Sequence, residues 1–258
     1  MIETSFVRSL QSELTRPLYR GLFLCYGEFT NTILSMKIFL DTADVDLISK
    51  YYGTGLIDGV TTNPTLIRKS GQDPEEVYKK IALLGIDDIS MEIVTDDANE
   101  FLQEGRRLRE KFGEITTIKV PCTPQGLRGC KLLSDEKIRV NVTLIFSAAQ
   151  AVLASKAGAA YVSPFVGRVD DNSFDGLNLI KQIADIYEKQ SRLYNFVDTE
   201  ILSASIRDVG SVSKSFENGA GIVTMPPTVF EKMYKHILTD KGLDLFQKDW
   251  ETVNALKI

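Results

Sequence analysis

From Lys37 onward the chain repeats one pattern eight times: a short apolar run rich in β-branched residues, a few polar residues, then a stretch with helical spacing of its apolar positions. The runs cover 37–41, 59–62, 89–94, 115–120, 140–146, 160–163, 200–204 and 221–225, and the first seven are followed by helical stretches at 43–52, 74–84, 97–112, 124–133, 148–157, 174–187 and 206–218. Runs this apolar read as strands buried on both faces, which is the signature of a parallel sheet covered by helices. Eight of them with a helix after each predict an α/β fold of the closed (β/α)8 TIM-barrel type rather than an open doubly wound sheet. The open alternative expects a glycine-rich phosphate turn after its first strand, and here that turn reads L-D-T-A-D. Thr42 stands where an N-cap is needed, and Gly53, Gly85, Gly113, Gly158 and Gly219 stand where helices end. After the eighth run, Pro226 and Pro227 open a helix. An additional C-terminal helix over 243–256 carries Leu243, Phe246, Trp250 and Val253 as one apolar stripe.

Residues 1–35 do not share the pattern. Their apolar patch is too short to span a membrane, and Glu3, Glu13 and Glu28 balance Arg8, Arg16 and Arg20, unlike a transit peptide. They read as an extension that is not part of the fold, with 36–258 as a single barrel domain. A net charge of −5 lacks the basic excess of a nucleic-acid or anionic-membrane binder, so neither is an expected partner. Any substrate phosphate must then be met by local arginines. Cys25, Cys122 and Cys130 form no CxxC pair and no even framework, which fits reduced thiols in a cytoplasmic protein. The single histidine, His236, sits in K-M-Y-K-H-I-L, which reads as helix; one histidine rules out a multi-histidine metal centre, and no G-x-S-x-G supports a serine triad. No metal and no cofactor is expected.

The residue that demands a reason is Lys119, inside I-T-T-I-K-V-P. A lysine with its ordinary pKa near ~10.4 is almost wholly protonated at neutral pH, so a nucleophilic one needs a special setting, and Ile118, Val120 and Pro121 are its apolar neighbours. The plainer reading is an ammonium that snorkels to water at the strand end. Barrel active sites are built at the carboxyl ends of the strands. That rule gathers Asp41 from the first run, Asn63 after the second, Glu92 from the third, Lys119 from the fourth, Asn141 and Thr143 from the fifth and Ser163 from the sixth. Singly, Asp41 reads equally as a helix cap, Asn63 as a turn residue and Thr143 as an ordinary strand threonine. Together they form one lysine, two carboxylates and a set of amide and hydroxyl groups, and buried polar groups cost about 1 to 3 kcal/mol each when unpaired. Lysine with carboxylates and no metal ligands suggests imine chemistry on a carbonyl substrate.

F-L-D-T-A-D, G-V-T-T-N-P-T, I-S-M-E-I-V, I-K-V-P, N-V-T-L-I-F-S-A-A-Q-A, Y-V-S-P-F-V-G-R and L-S-A-S-I-R resemble, in order, the motifs of small transaldolases, a group that also contains fructose-6-phosphate aldolases. The resemblance implies a class I, Schiff-base transaldolase of the pentose phosphate pathway. On it, Lys119 forms the imine with a ketose phosphate, Asp41 takes the proton that drives carbon–carbon cleavage, and Glu92 with Thr143 holds the relay water. It assigns Asn63, Asn141 and Ser163 to the dihydroxyacetone unit and Arg168, Ser205 and Arg207 to the phosphate. The position of Ser205 and Arg207 after the seventh strand suits a barrel phosphate site independently. The family's aldolases are similar but carry tyrosine at Phe165 and glutamine at Glu92, so this chain resembles the transferring rather than the cleaving branch. A catalytically silent sugar-phosphate-binding barrel is the alternative of another class, though it has no use for Lys119 and Asp41 together. The resemblance further implies homo-oligomers, rings of five or paired rings of ten, through C-terminal helices.

Overall fold

In a computed structural model, residues 36–194 and 198–255 are described; the expectations for residues 1–35 and for the end of the last helix fall outside them. Among the described residues eight parallel strands close in sequence order, with the last pairing the first. They are β1 (Lys37–Asp41), β2 (Gly59–Thr61), β3 (Ile89–Glu92), β4 (Thr116–Pro121), β5 (Arg139–Ile145), β6 (Tyr161–Pro164), β7 (Glu200–Ser203) and β8 (Ile222–Met225). The helices are α1 (Val45–Tyr52), α2 (Pro64–Ser70), α3 (Pro74–Ala82), α4 (Ala98–Phe112), α5 (Pro124–Asp135), α6 (Ala148–Lys156), α7 (Val166–Asp171), α8 (Gly176–Tyr194), α9 (Val209–Glu217), α10 (Pro227–Met233) and α11 (Ile237–Ala255). None is long and apolar enough to cross a membrane.

Alternation along the strands builds two cores. Outward-facing Ile118, Val120, Val140, Val142 and Ile145 pack under the helices, while Phe39, Tyr161, Leu202, Ala204 and Ile222 form a smaller apolar cluster. Gly59 makes room for that second cluster, because a Cβ there would lie 2.6 Å from the Phe39 ring. At the opposite end of the strands from the expected site, Asp88 accepts from Arg139 and from the Tyr161 hydroxyl, both at 2.8 Å. Burial pushes the Asp88 carboxyl up, opposed by the Arg139 charge.

Local chemistry departs from the sequence reading at several points. Thr42 does not cap α1: Asp44 does, accepting from the Asp46 and Leu47 amides, while the Thr42 hydroxyl accepts from Asp44 N–H in the turn before it. A carboxylate two residues closer to the helix wins the cap. Gly53 ends α1 in a right-handed conformation, and the left-handed residue is Gly55. Two short helices, α2 and α7, were absent from the periodicity because seven and six residues span too few turns to show it. His236 lies in the break between α10 and α11, where its Nδ1 accepts from Leu238 N–H at 3.2 Å.

The barrel closes at Lys37, whose amide donates to the Gly221 carbonyl at 3.0 Å. A chain begun at Met36 is therefore expected to keep its cooperative melt, with Tm within about 2 °C of the full chain by calorimetry; a loss well beyond that would place residues 1–35 in the fold's stability.

Candidate active site

Register sets the site. Glu92, Lys119 and Asn141 lie side by side on β3, β4 and β5, so three polar side chains share one row of the barrel interior. Lys119 Nζ contacts Glu92 Oε2 at 2.9 Å and donates to the Thr62 carbonyl at 3.1 Å. The sequence reading placed the amine among Ile118, Val120 and Pro121. The period of two instead turns Ile118 and Val120 outward into the helix layer, and the lysine's own neighbours are a carboxylate and a carbonyl. Snorkelling is also ruled out, since Lys119 is buried.

Beside this pair, Asp41 at the end of β1 accepts from the Thr61 hydroxyl at 2.8 Å, and Thr61 shares a 2.7 Å hydrogen bond with Thr224. Burial pushes the Asp41 carboxyl above its ordinary value; the Lys119 charge and the Thr61 hydrogen bond pull it back, and the Glu92 charge adds to the rise. Asn141 donates to Ser90 Oγ at 3.2 Å and accepts from Ser163 Oγ at 2.6 Å, so its amide is fixed in orientation. Asn63 spends one acceptor on capping α2 at Leu66 N–H. Thr143 is buried, and its Oγ1 has no hydrogen-bond partner among the described residues. Next to it Leu144 takes φ 58° at a register shift in the β5–β6 pairing, a bulge that keeps Ile145 in the outer core while Thr143 faces in. Nothing in the sequence marks a leucine for that conformation.

A cavity of about 100 Å³ sits over Lys119, bounded by Asp41, Asn63, Ser163, Phe165, Arg168 and Ser205, with Thr61 and Thr224 also on its wall. Of the expected residues, Glu92 instead faces an adjoining groove, Asn141 is buried in the row of Lys119, Thr143 is buried two residues further along β5, and Arg207 stands off the cavity in a two-pronged pairing with Asp171. The Arg168 guanidinium lies 4.8 Å from the Phe165 ring centroid, and Phe146 meets the same ring edge-on at 5.9 Å. Ser205 adopts φ 60°, and Gly167 approaches its carbonyl so closely that a Cβ would lie 2.4 Å away. Thr61, Thr224 and Ser90 were missed; their inward parity within the strands was the signal available. Cys122 is half-buried with its thiol pushed up by burial, as in a packed rather than a nucleophilic cysteine, and Cys130 is pushed up to about 12.

The sequence profile described as Transaldolase/Fructose-6-phosphate aldolase matches residues 38–257, which span the barrel and its last helix. The chain belongs to the transaldolase/fructose-6-phosphate aldolase family. Relatives of this family include a probable transaldolase of Nitrosopumilus maritimus, 49% identical over 220 residues, which covers 85% of this chain and 97% of the relative. Another, from Paracoccus denitrificans, is 50% identical over 215 residues, covering 83% and 96% respectively. A third, from Caulobacter vibrioides, is 48% identical over 215 residues.

The raised Asp41 has a consequence for stability. Because the native state holds this proton more tightly than the unfolded chain, the Asp41 contribution falls as pH rises from the ordinary carboxylate value of 3.8 through the higher native one. Asp41→Asn removes the effect, so the variant's Tm relative to the unmodified protein is expected to increase between about pH 4 and pH 8. Parallel pH–Tm curves for the two would contradict it.

Proposed function

We propose that this enzyme is a transaldolase that moves a dihydroxyacetone unit from a ketose phosphate, sedoheptulose 7-phosphate or fructose 6-phosphate, to an aldose phosphate through a Schiff base on Lys119. The carrying observation is buried Lys119, 2.9 Å from Glu92 and bordering a cavity that also holds Asp41 and Arg168. Lys119 passes a proton to Glu92 and adds to the ketone. Glu92, with the unpartnered Thr143 hydroxyl, then handles the water lost as the carbinolamine becomes the iminium. Asp41 takes the proton of the hydroxyl on the carbon beyond the breaking bond, and the raised carboxyl suits a group that must both accept and return a proton. The aldose phosphate leaves, and the enamine stays, held by Asn63, Asn141 and Ser163, until an acceptor aldehyde arrives. Arg168 with Ser205 meets the phosphate at the mouth; Arg207 joins them on releasing Asp171.

Transfer is favoured over fructose-6-phosphate aldolase cleavage by Phe165, which borders the cavity with a ring that has no proton to give the enamine. Fructose 6-phosphate with borohydride is expected to leave a dihydroxyacetone-derived mass on the Lys119 peptide. Lys119→Arg should abolish both trapping and turnover, since a guanidinium stays protonated. Asp41→Asn should still trap substrate while turnover drops by about 10²- to 10⁴-fold. Label on another lysine would overturn the assignment to Lys119; no label would refute the imine and leave the silent binding barrel. Phe165→Tyr should raise release of free dihydroxyacetone relative to transfer; equal rates of both in the unmodified enzyme would favour the aldolase.

Helix α11 has no buried residue, and Leu243, Phe246, Trp250 and Val253 are exposed along it. An apolar stripe of this kind suits burial against further copies of the chain, in keeping with the ring assemblies implied by the family resemblance. Light scattering is expected to give an oligomer, and a monomer at micromolar concentration would count against it.

A further inference from the structure

Glu92 links the lysine to a second space. Its carboxylate touches Lys119, yet it does not border the cavity over the lysine; it forms part of the floor of a separate groove of about 650 Å³, bordered by residues of α3, α4 and the segment after β3. Its side chain keeps 17% exposure against 6% for Lys119. Tyr78 also borders the groove, and its hydroxyl lies 3.4 Å from that of Thr62, whose carbonyl holds the lysine. The groove thus reaches Glu92 of the pair and shares no lining residue with the cavity over Lys119.

The two openings differ in charge. Asp73, Glu75, Glu100, Glu104 and Glu92 border the groove against a single Arg107, whereas Arg168 stands at the cavity over Lys119. An acidic rim repels a sugar phosphate dianion but admits water. Imine formation converts a ketone and an ammonium into an iminium and one water, and the reverse step consumes one water, both at the Glu92 face. With a ketose phosphate seated in the mouth, that route is filled.

We propose that the groove between α3 and α4 is the water port of this site: the water lost on imine formation leaves, and the water for imine hydrolysis enters, past Glu92. The inference rests on the lysine-imine reading above. Val94 and Gln103, exposed residues on the groove wall, are outside the reacting set and accept bulk. Val94→Trp and Gln103→Trp obstruct the port without touching Glu92 or Lys119.

The test uses fructose 6-phosphate carrying ¹⁸O at its ketone, with ¹³C-labelled glyceraldehyde 3-phosphate as acceptor. Fructose 6-phosphate that has gained ¹³C has passed through the imine once and been released by hydrolysis, so the fraction of it that has also lost ¹⁸O reports whether the expelled water escaped. In the unmodified enzyme that fraction should be near complete. In both tryptophan variants it should fall several-fold, with borohydride trapping at Lys119 retained. Because the readout is a ratio within released product, a variant that folds less well changes its amount and not its isotope ratio. Trapping with complete ¹⁸O loss in both variants would overturn the port alone. Absence of trapping and of ¹³C incorporation in the unmodified enzyme would instead sink the imine, and the port with it.

Discussion

One charged contact, Lys119 against Glu92, organises the interior of this barrel. A lone ammonium in a dry interior carries a desolvation penalty of several kcal/mol, and removing one partner of such a pair typically costs about 3 to 5 kcal/mol. Here the parallel register places the two residues opposite each other on β3 and β4, and the Thr62 carbonyl accepts a hydrogen bond from the amine. The pair is in place only when both strands and the β2 exit are in register. The setting of Lys119 is consequently a property of the closed sheet and not of the β4 segment.

Around that contact the barrel interior divides by chemistry. Phe39, Tyr161, Leu202, Ala204 and Ile222 form an apolar cluster, and the Asp88, Arg139 and Tyr161 group ties the amino-terminal end of the strands. Towards the carboxyl end lies the polar row of Glu92, Lys119 and Asn141, in which Ser90 and Ser163 hold Asn141; beside it Thr61, bonded to Thr224, holds Asp41. Nearly every donor there is spoken for. Among the described residues the exceptions are the Thr143 and Thr117 hydroxyls and one Asp88 oxygen, and of these Thr143 is the one beyond the Lys119 row towards the carboxyl end.

Backbone strain appears at the same end, and also at Lys137 before β5 and at Ser173 between α7 and α8. Leu144 and Ser205 both take positive φ without being glycine, one beside Thr143 and the other beside the cavity over Lys119. Conformations of this kind cost of order 1 to 3 kcal/mol and survive where neighbouring contacts over-determine them. At Ser205 those contacts are the close approach of Gly167 and the bridge between Phe165 and Ala204. Two of the four strained residues thus sit beside the site, while Lys137 and Ser173 turn the chain at helix ends.

Periodicity alone determined the barrel: β-branched runs buried on both faces, spaced by amphipathic stretches, have few other ways to remove their apolar surface from water. The strand-end rule likewise made Asp41, Glu92, Lys119, Asn141, Thr143 and Ser163 legible as one set, because polar residues inside apolar runs are rare enough to be noticed. Other features depended on tertiary structure. The amine's partner is a carboxylate on the next strand, and the apolar neighbours in sequence point away from it; cross-strand register is a long-range property that no local window contains. The Leu144 bulge, the pairing of Arg207 with Asp171 and the turning of Glu92 towards a second groove follow from how strands, turns and helices meet in space. The same reason explains Asp44 in place of Thr42 as the α1 cap: composition offered both oxygens, and only the path of the turn decided which reached the helix amides.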